Sequence, residues 1–251
     1  MSEIKIAEEN SILTITLNRP EKRNALNDAL VKSLKEVLRE ADSNERLRAI
    51  VIRGAGKDFC SGADLSALQK IAESDVMENL ADAENLLELF SLVRKIKIPV
   101  IAAVHGRALA GGCGLATACD LVLATKSARF GYPGVKIGFV AAMVMAILRR
   151  NLSEKRAFEL VTQGFEFSSD EAEKIGLINR VFDDETFDED VKKYISVYEK
   201  VSRSAVVLSK KLLYQMDGMT FDTALETGAE VNTIARLTED CQKGIARFLE
   251  K

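Results

Sequence analysis

The chain opens on alternation. Residues 3–7 and 12–17 place apolar and polar side chains in turn, with Glu9-Asn10 between them, which predicts a β-hairpin with one buried face. Asn18-Arg19-Pro20 interrupts that pattern. Leu26, Leu30, Leu34, Val37 and Leu38 then recur at helical spacing, with Asn24 or Asn27 able to cap the helix. Apolar runs at 49–52, 99–104 and 120–124 predict strands, and Leu80, Ala83, Leu86, Leu87, Phe90 and Val93 mark an amphipathic helix between the first two. The longest apolar run, 137–148, falls short of the ~20 residues a membrane span requires and predicts a buried helix. From 153 onward the period is helical almost throughout: 153–161, 169–176, 186–201, 204–216 and two more segments. Strands alternating with helices, followed by an α-rich last third, predict an α/β protein with right-handed crossovers and a C-terminal helical layer or assembly surface.

Two glycine-rich segments stand at predicted strand-to-helix transitions. They are Phe59-Cys60-Ser61-Gly62-Ala63-Asp64-Leu65 and Leu109-Ala110-Gly111-Gly112-Cys113-Gly114-Leu115. Glycine permits the tight turn and removes the Cβ that would keep a ligand from the backbone, and Asp64 is placed to cap a helix starting near Leu65. The free N–H groups of a helix start can stabilise a developing oxyanion, and the pairing of two such loops suggests an oxyanion hole. A plain turn and helix–strand packing are the alternative uses of the same residues. Neither loop has the G-x-G-x-x-G spacing or the Walker lysine, which disfavours nucleotide binding by those devices.

Composition narrows the field further. A 251-residue chain with 47% hydrophobic residues has ample material for a full core, and 35 basic against 38 acidic residues give no reason to expect nucleic acid or a membrane surface as partner. Cys60, Cys113, Cys119 and Cys241 form no C-x-x-C pair, and the opening Met-Ser-Glu-Ile-Lys-Ile has no apolar signal core, so a cytoplasmic protein with reduced thiols is expected. His105 is the only histidine; it reads as a hydrogen-bonded turn residue before Gly106, with a catalytic base as the alternative. With one histidine and no acidic cluster at ligand spacing, no metal site is expected. Ser61 lacks the G-x-S-x-G elbow of a serine hydrolase, and Cys60 and Cys113 read as fillers of small pockets.

Asn18-Arg19-Pro20-Glu21-Lys22-Arg23-Asn24-Ala25-Leu26, Ser61-Gly62-Ala63-Asp64-Leu65, the stretch 99–120 and Phe130-Gly131-Tyr132-Pro133 together resemble the crotonase (enoyl-CoA hydratase/isomerase) family. The resemblance continues through 168–181 and 244–251, so it spans nearly the whole chain. It implies a crotonase-like ββα superhelix core over 1–195 and a C-terminal helical trimerisation region over 196–251. It also implies a homotrimer or dimer of trimers, and an acyl-CoA thioester as substrate, with coenzyme A entering as part of that substrate and no separate cofactor. By the same resemblance the N–H groups of Ala63 and Gly111 form the oxyanion hole, and Arg23, Ala25, Ser61, Gly62, Asp64, Leu65 and Tyr132 match substrate-binding positions.

One departure qualifies this. The two glutamates that family hydratases use to activate water and move the α-proton fall here on Gly114 and Gly134. Tyr132, Lys136, Asp75, Glu84 and Glu88 are the groups nominated to replace them. Three readings remain open: an enoyl-CoA hydratase or isomerase resting on the oxyanion hole, an acyl-CoA decarboxylase or thioester hydrolase, and a non-catalytic acyl-CoA-binding protein.

Overall fold

A computed structural model describes residues 2–250. The hairpin forms as its alternation predicts: β1 (Ile4–Glu9) and β2 (Ile12–Leu17) pair antiparallel, and Asn10 takes a left-handed φ of 52° at the turn. A 3₁₀ turn over Pro20–Lys22 then leads to α1 (Asp28–Ser43), capped by the Asn27 side chain on the Leu30 N–H. β3 (Ala49–Gly54), α2 (Leu65–Glu73), α3 (Val76–Lys95), β4 (Val100–Val104), β5 (Arg107–Leu109), α4 (Gly111–Ala118) and β6 (Leu121–Thr125) follow. β7 (Arg129–Gly131), α5 (Ala142–Asn151), α6 (Glu154–Gln163), β8 (Glu166–Ser168), α7 (Ser169–Lys174) and β9 (Arg180–Phe182) complete the mixed part. The rest is helical: α8 (Phe187–Ile195), α9 (Val197–Lys200), α10 (Arg203–Gln215), α11 (Phe221–Arg236) and α12 (Glu239–Leu249).

The main sheet runs β1-β2-β3-β4-β6-β9, parallel from β2 onward, and β5-β7-β8 form a second, smaller sheet. Strand side chains alternate between faces, so each strand feeds two cores. Leu13, Ile15, Leu17, Ile50, Ile52, Val100 and Ala102 pack with Leu30, Leu34 and Leu38 of α1 and with Leu89, Phe90 and Val93 of α3. Ala49, Val51, Ile101, Ala103 and Leu123 turn the other way and are covered by Phe187, Val191 and Ile195 of α8. β4 is buried at every residue, as a central parallel strand must be.

Three expectations are corrected. The 137–148 run is not one buried helix: Pro133 starts a 3₁₀ turn that Gly138 ends at φ 89°, the helix begins at Ala142, and Ile137 and Val140 are exposed. Leu26 is not in α1 but precedes it, paired with Ala63, and Asn27 rather than Asn24 is the cap. The expected 186–201 helix is divided at Ser196. Among the described residues, no helix is long and apolar enough to cross a membrane.

Among the described residues, the helices past α8 and α9 contribute no fully buried apolar side chain to the core, and α10, with Val207 packed against it, is fastened to it by polar groups. Lys210 Nζ donates to Asp120 Oδ2 at 2.6 Å and to the Ile98 carbonyl at 3.0 Å, while Tyr214 donates to Asp120 Oδ1 at 2.6 Å. The Val100 N–H also donates to Oδ2, at 2.7 Å, and the Arg94 guanidinium lies over the Tyr214 ring. Burial pulls the Lys210 pKa down and the Asp120 carboxylate opposes it, so the cation persists because its partner is there. Asp120→Ala leaves that ammonium buried without its anion and is expected to lower the unfolding free energy by about 3–5 kcal/mol, read as an earlier midpoint in urea titration.

Candidate active site

The loop after β3 folds straight back on the strand. A Cβ at Gly54 would lie 2.4 Å from the Asp58 carbonyl oxygen, so only glycine allows the return. Asn24, fully buried in a left-handed conformation, holds the loop: its Nδ2 donates to the Ala55 and Asp58 carbonyls at 2.9 and 2.7 Å, and its Oδ1 accepts from the Arg19 N–H. The loop next runs beside β5, where Cys60 and Ala108 form an isolated parallel bridge. It then pairs with Leu26, whose N–H donates to the Gly62 carbonyl and whose carbonyl accepts from Asp64. In a parallel bridge the neighbours of the facing residue make the bonds, so the Ala63 N–H points away from Leu26.

The second loop meets the first there. Ala110 takes φ 48° and ψ −120°, a region costly for a residue with a Cβ, and its N–H is tied to the Gly131 carbonyl at 2.8 Å. This sharp turn ends β5 and starts α4 at Gly111. A Cβ at Gly62 would lie 2.9 Å from Ala110 Cβ and 3.4 Å from the Gly111 nitrogen. Two N–H groups, of Ala63 and Gly111, therefore sit on abutting loops, and among the described residues neither has an acceptor. The Gly111 group also carries the positive end of α4.

Arg23, Ala25, Ser61, Ala63 and Asp64 line one cleft of about 230 Å³ with Glu21 and Lys22. Gly62 is buried at the junction of the loops, and Leu65 opens α2, its side chain lying outside the described residues. Asp64 caps α2, accepting from the Ser66 N–H at 3.0 Å and from Arg19 at 2.7 Å, and these two contacts hold its pKa below the usual carboxylate value. A larger hollow of about 410 Å³ between α1, α2 and α3 contains none of the glycine-loop residues.

Tyr132 is not in the cleft. Its ring is buried in the core with Cys113 and Thr117 as neighbours, and burial pushes its pKa well up. None of the other nominees lines that cleft: Asp75 caps α3, Glu88 pairs with Lys35 and Arg39, and Glu84 and Lys136 are exposed. At Gly114 a Cβ would lie 2.8 Å from Val144 Cγ2 and 3.0 Å from Phe90 Cζ. At Gly134 the neighbour is Phe139 Cβ at 3.2 Å. No periodicity signalled Phe90 and Val144 as site residues, because both also read as core.

The thiols stay protonated: burial pushes Cys60 up to about 12 and Cys113 to about 11. His105 bonds through Nε2 to the Gly56 carbonyl at 2.9 Å, as a turn residue. Among the described residues no group of His, Cys, Asp and Glu is placed to hold a metal ion.

This geometry belongs to a known class. The fold matches an enoyl-CoA hydratase from Mycobacterium smegmatis at a TM-score of 0.94 and 31% identity, covering 99% of this chain and 96% of that one. It also matches human enoyl Coenzyme A hydratase domain-containing protein 3 at 0.93 and 28%, covering 99% and 97%. A 2,3-dehydroadipyl-CoA hydratase of Escherichia coli is 33% identical over 100% of this chain and 97% of its own. A Thermus thermophilus relative provisionally named an enoyl-CoA hydratase is 38% identical over 97% of this chain and 96% of its own. Residues 7–251 match the family described as Enoyl-CoA hydratase/isomerase, and the chain belongs to that family.

His105 makes one consequence measurable. Burial lowers its pKa below the ordinary 6.5, so the unfolded chain binds its proton more readily. Its share of stability is present above pH 6.5 and lost as pH falls through the folded value. Denaturant titrations at pH 7.5 and 5 are expected to show that loss, and His105→Gln to reduce it.

Proposed function

We propose that the cleft binds an acyl-CoA thioester and that the N–H groups of Ala63 and Gly111 donate to its carbonyl oxygen. The observation that carries this is the pair of acceptor-less N–H groups on abutting loops, at the edge of a cleft bearing Lys22 and Arg23. As the α-carbon gains carbanion character its charge passes to that oxygen, and each preorganised donor is worth about 3–4 kcal/mol to such a transition state. Arg23, Ala25, Ser61, Gly62, Asp64 and Leu65 shape the cleft around the CoA portion, which enters as part of the substrate without a separate cofactor. Relatives named as CoA hydratases support the thioester.

The reaction is enolate chemistry with no carboxylate at positions 114 and 134. Hydration of an enoyl thioester needs a positioned acid or base, and its loss costs about 10²–10⁴-fold. Decarboxylation of a malonyl-type thioester is a second reading, favoured by the apolar Val144 and Phe90 side chains that stand nearest a Cβ at Gly114. The bond to the carboxylate breaks, carbon dioxide leaves, the electron pair becomes the enolate held by the two N–H groups, and the α-carbon then takes a proton from water. No base is needed. A second copy of this chain is the proposed cover for Phe221, Leu225, Leu237, Phe248 and Leu249, which are exposed on and between α11 and α12, in a trimer.

Loss of crotonyl-CoA absorbance and release of carbon dioxide from malonyl-CoA, measured at high protein concentration, separate the readings. Turnover of either supports enolate catalysis. Tight binding of both without turnover marks a non-catalytic binder, and absence of binding removes the proposal. Gly134→Glu has only Phe139 Cβ to displace and is expected to raise crotonyl-CoA hydration about 10²-fold. Gly114→Glu forces a side chain into Val144 and Phe90 and is expected to lower stability by about 1–3 kcal/mol, read as an earlier urea midpoint.

A further inference from the structure

Gly111 and Gly114 lie three residues apart on α4 and share a face. Gly111 presents a free N–H. One turn along, the three heavy atoms nearest a Cβ at Gly114 are all carbon: Val144 Cγ2 at 2.8 Å, then Phe90 Cζ and Cε2 at 3.0 and 3.3 Å. Phe90 and Val144 are both buried, and Leu86 and Met143 beside them are partly buried and apolar. The glycine thus lets α3 and α5 come directly onto α4, and they place a ring edge and a methyl group about one helical turn along α4 from the Gly111 N–H.

We propose that Phe90 and Val144 determine which acyl groups the site accepts. They form the wall against which the carbons next to the thioester carbonyl lie, admitting a short unbranched chain and rejecting one branched at the α-carbon. Val144 is stiff at χ1 and Phe90 is held in the packed core, so neither swings aside for an extra methyl. The inference rests on Ala63 and Gly111 holding the carbonyl oxygen, because that contact fixes where the α-carbon falls.

Saturated thioesters test this, since with no double bond to hydrate they report binding alone. Calorimetry on the full chain compares CoA, butanoyl-CoA and 2-methylpropanoyl-CoA. The unaltered protein is expected to favour the unbranched ester by about 10-fold or more, the effect of one misplaced methyl group in an apolar pocket. Val144→Ala is expected to erase that preference and to leave affinity for CoA itself unchanged. Phe90→Leu, a smaller change that guards against loss of the fold, is expected to narrow the preference in the same direction, with circular dichroism confirming that each variant folds. No preference in the unaltered protein, or the same preference in both folded variants, would overturn the proposal and leave the two residues as packing. If no thioester binds better than CoA, the carbonyl-binding reading itself fails, and this inference with it.

Discussion

Everything at the site depends on two isolated parallel bridges, Cys60 with Ala108 and Leu26 with Ala63. Through them the irregular segment after β3 behaves as a strand for single residues at a time, and this extends the order of the sheet past the point where the strands end. A loop with the same glycines but without those contacts would lose its Ala63 N–H to water. Ordered backbone groups cost no reorganisation when charge develops, which is why donors held this way act more strongly than the same groups in solvent.

The support beneath the bridges is polar and buried. Asn24 uses both ends of its amide, and Arg19 joins Glu3, just ahead of β1, to Asp64, the cap of α2. The Asn24 amide is hydrogen-bonded through both its oxygen and its nitrogen, so its burial rigidifies rather than weakens the region. The strain at Ala110 is tolerated because its N–H is bonded to Gly131 on one side and α4 begins on the other.

How much was readable in advance follows from what each element needs. The hairpin, α1 and the strands β3, β4 and β6 carry enough period to be read, and the Asp64 cap was visible as an acidic residue before an apolar helix start. β5, β7, β8 and β9 are three residues each, too short for any period to register. The 137–148 run misled because hydrophobicity was taken for burial, although Pro133 and Gly138 dictate a turn. At the site, glycines revealed the loops, since their reason is local. The groups that fill the space at Gly114 come from α3 and α5, and a contact between distant segments leaves no trace in either one. Tyr132 shows the converse: a family position in a matching motif, buried here beneath α4.

α4 itself joins two parts of the molecule otherwise discussed apart. Its first residue is Gly111, its last is Ala118, and two residues beyond stands Asp120 with Lys210 and Tyr214 clasping it. Eight helical residues make a strut about 12 Å long, too short to bend appreciably. One tip of that strut presents the Gly111 N–H proposed to hold the carbonyl oxygen, and just past the other tip Asp120 is bound by α10. Only Cys119 separates the helix end from Asp120, so α10 backs the far end of the strut whose near tip carries the Gly111 N–H.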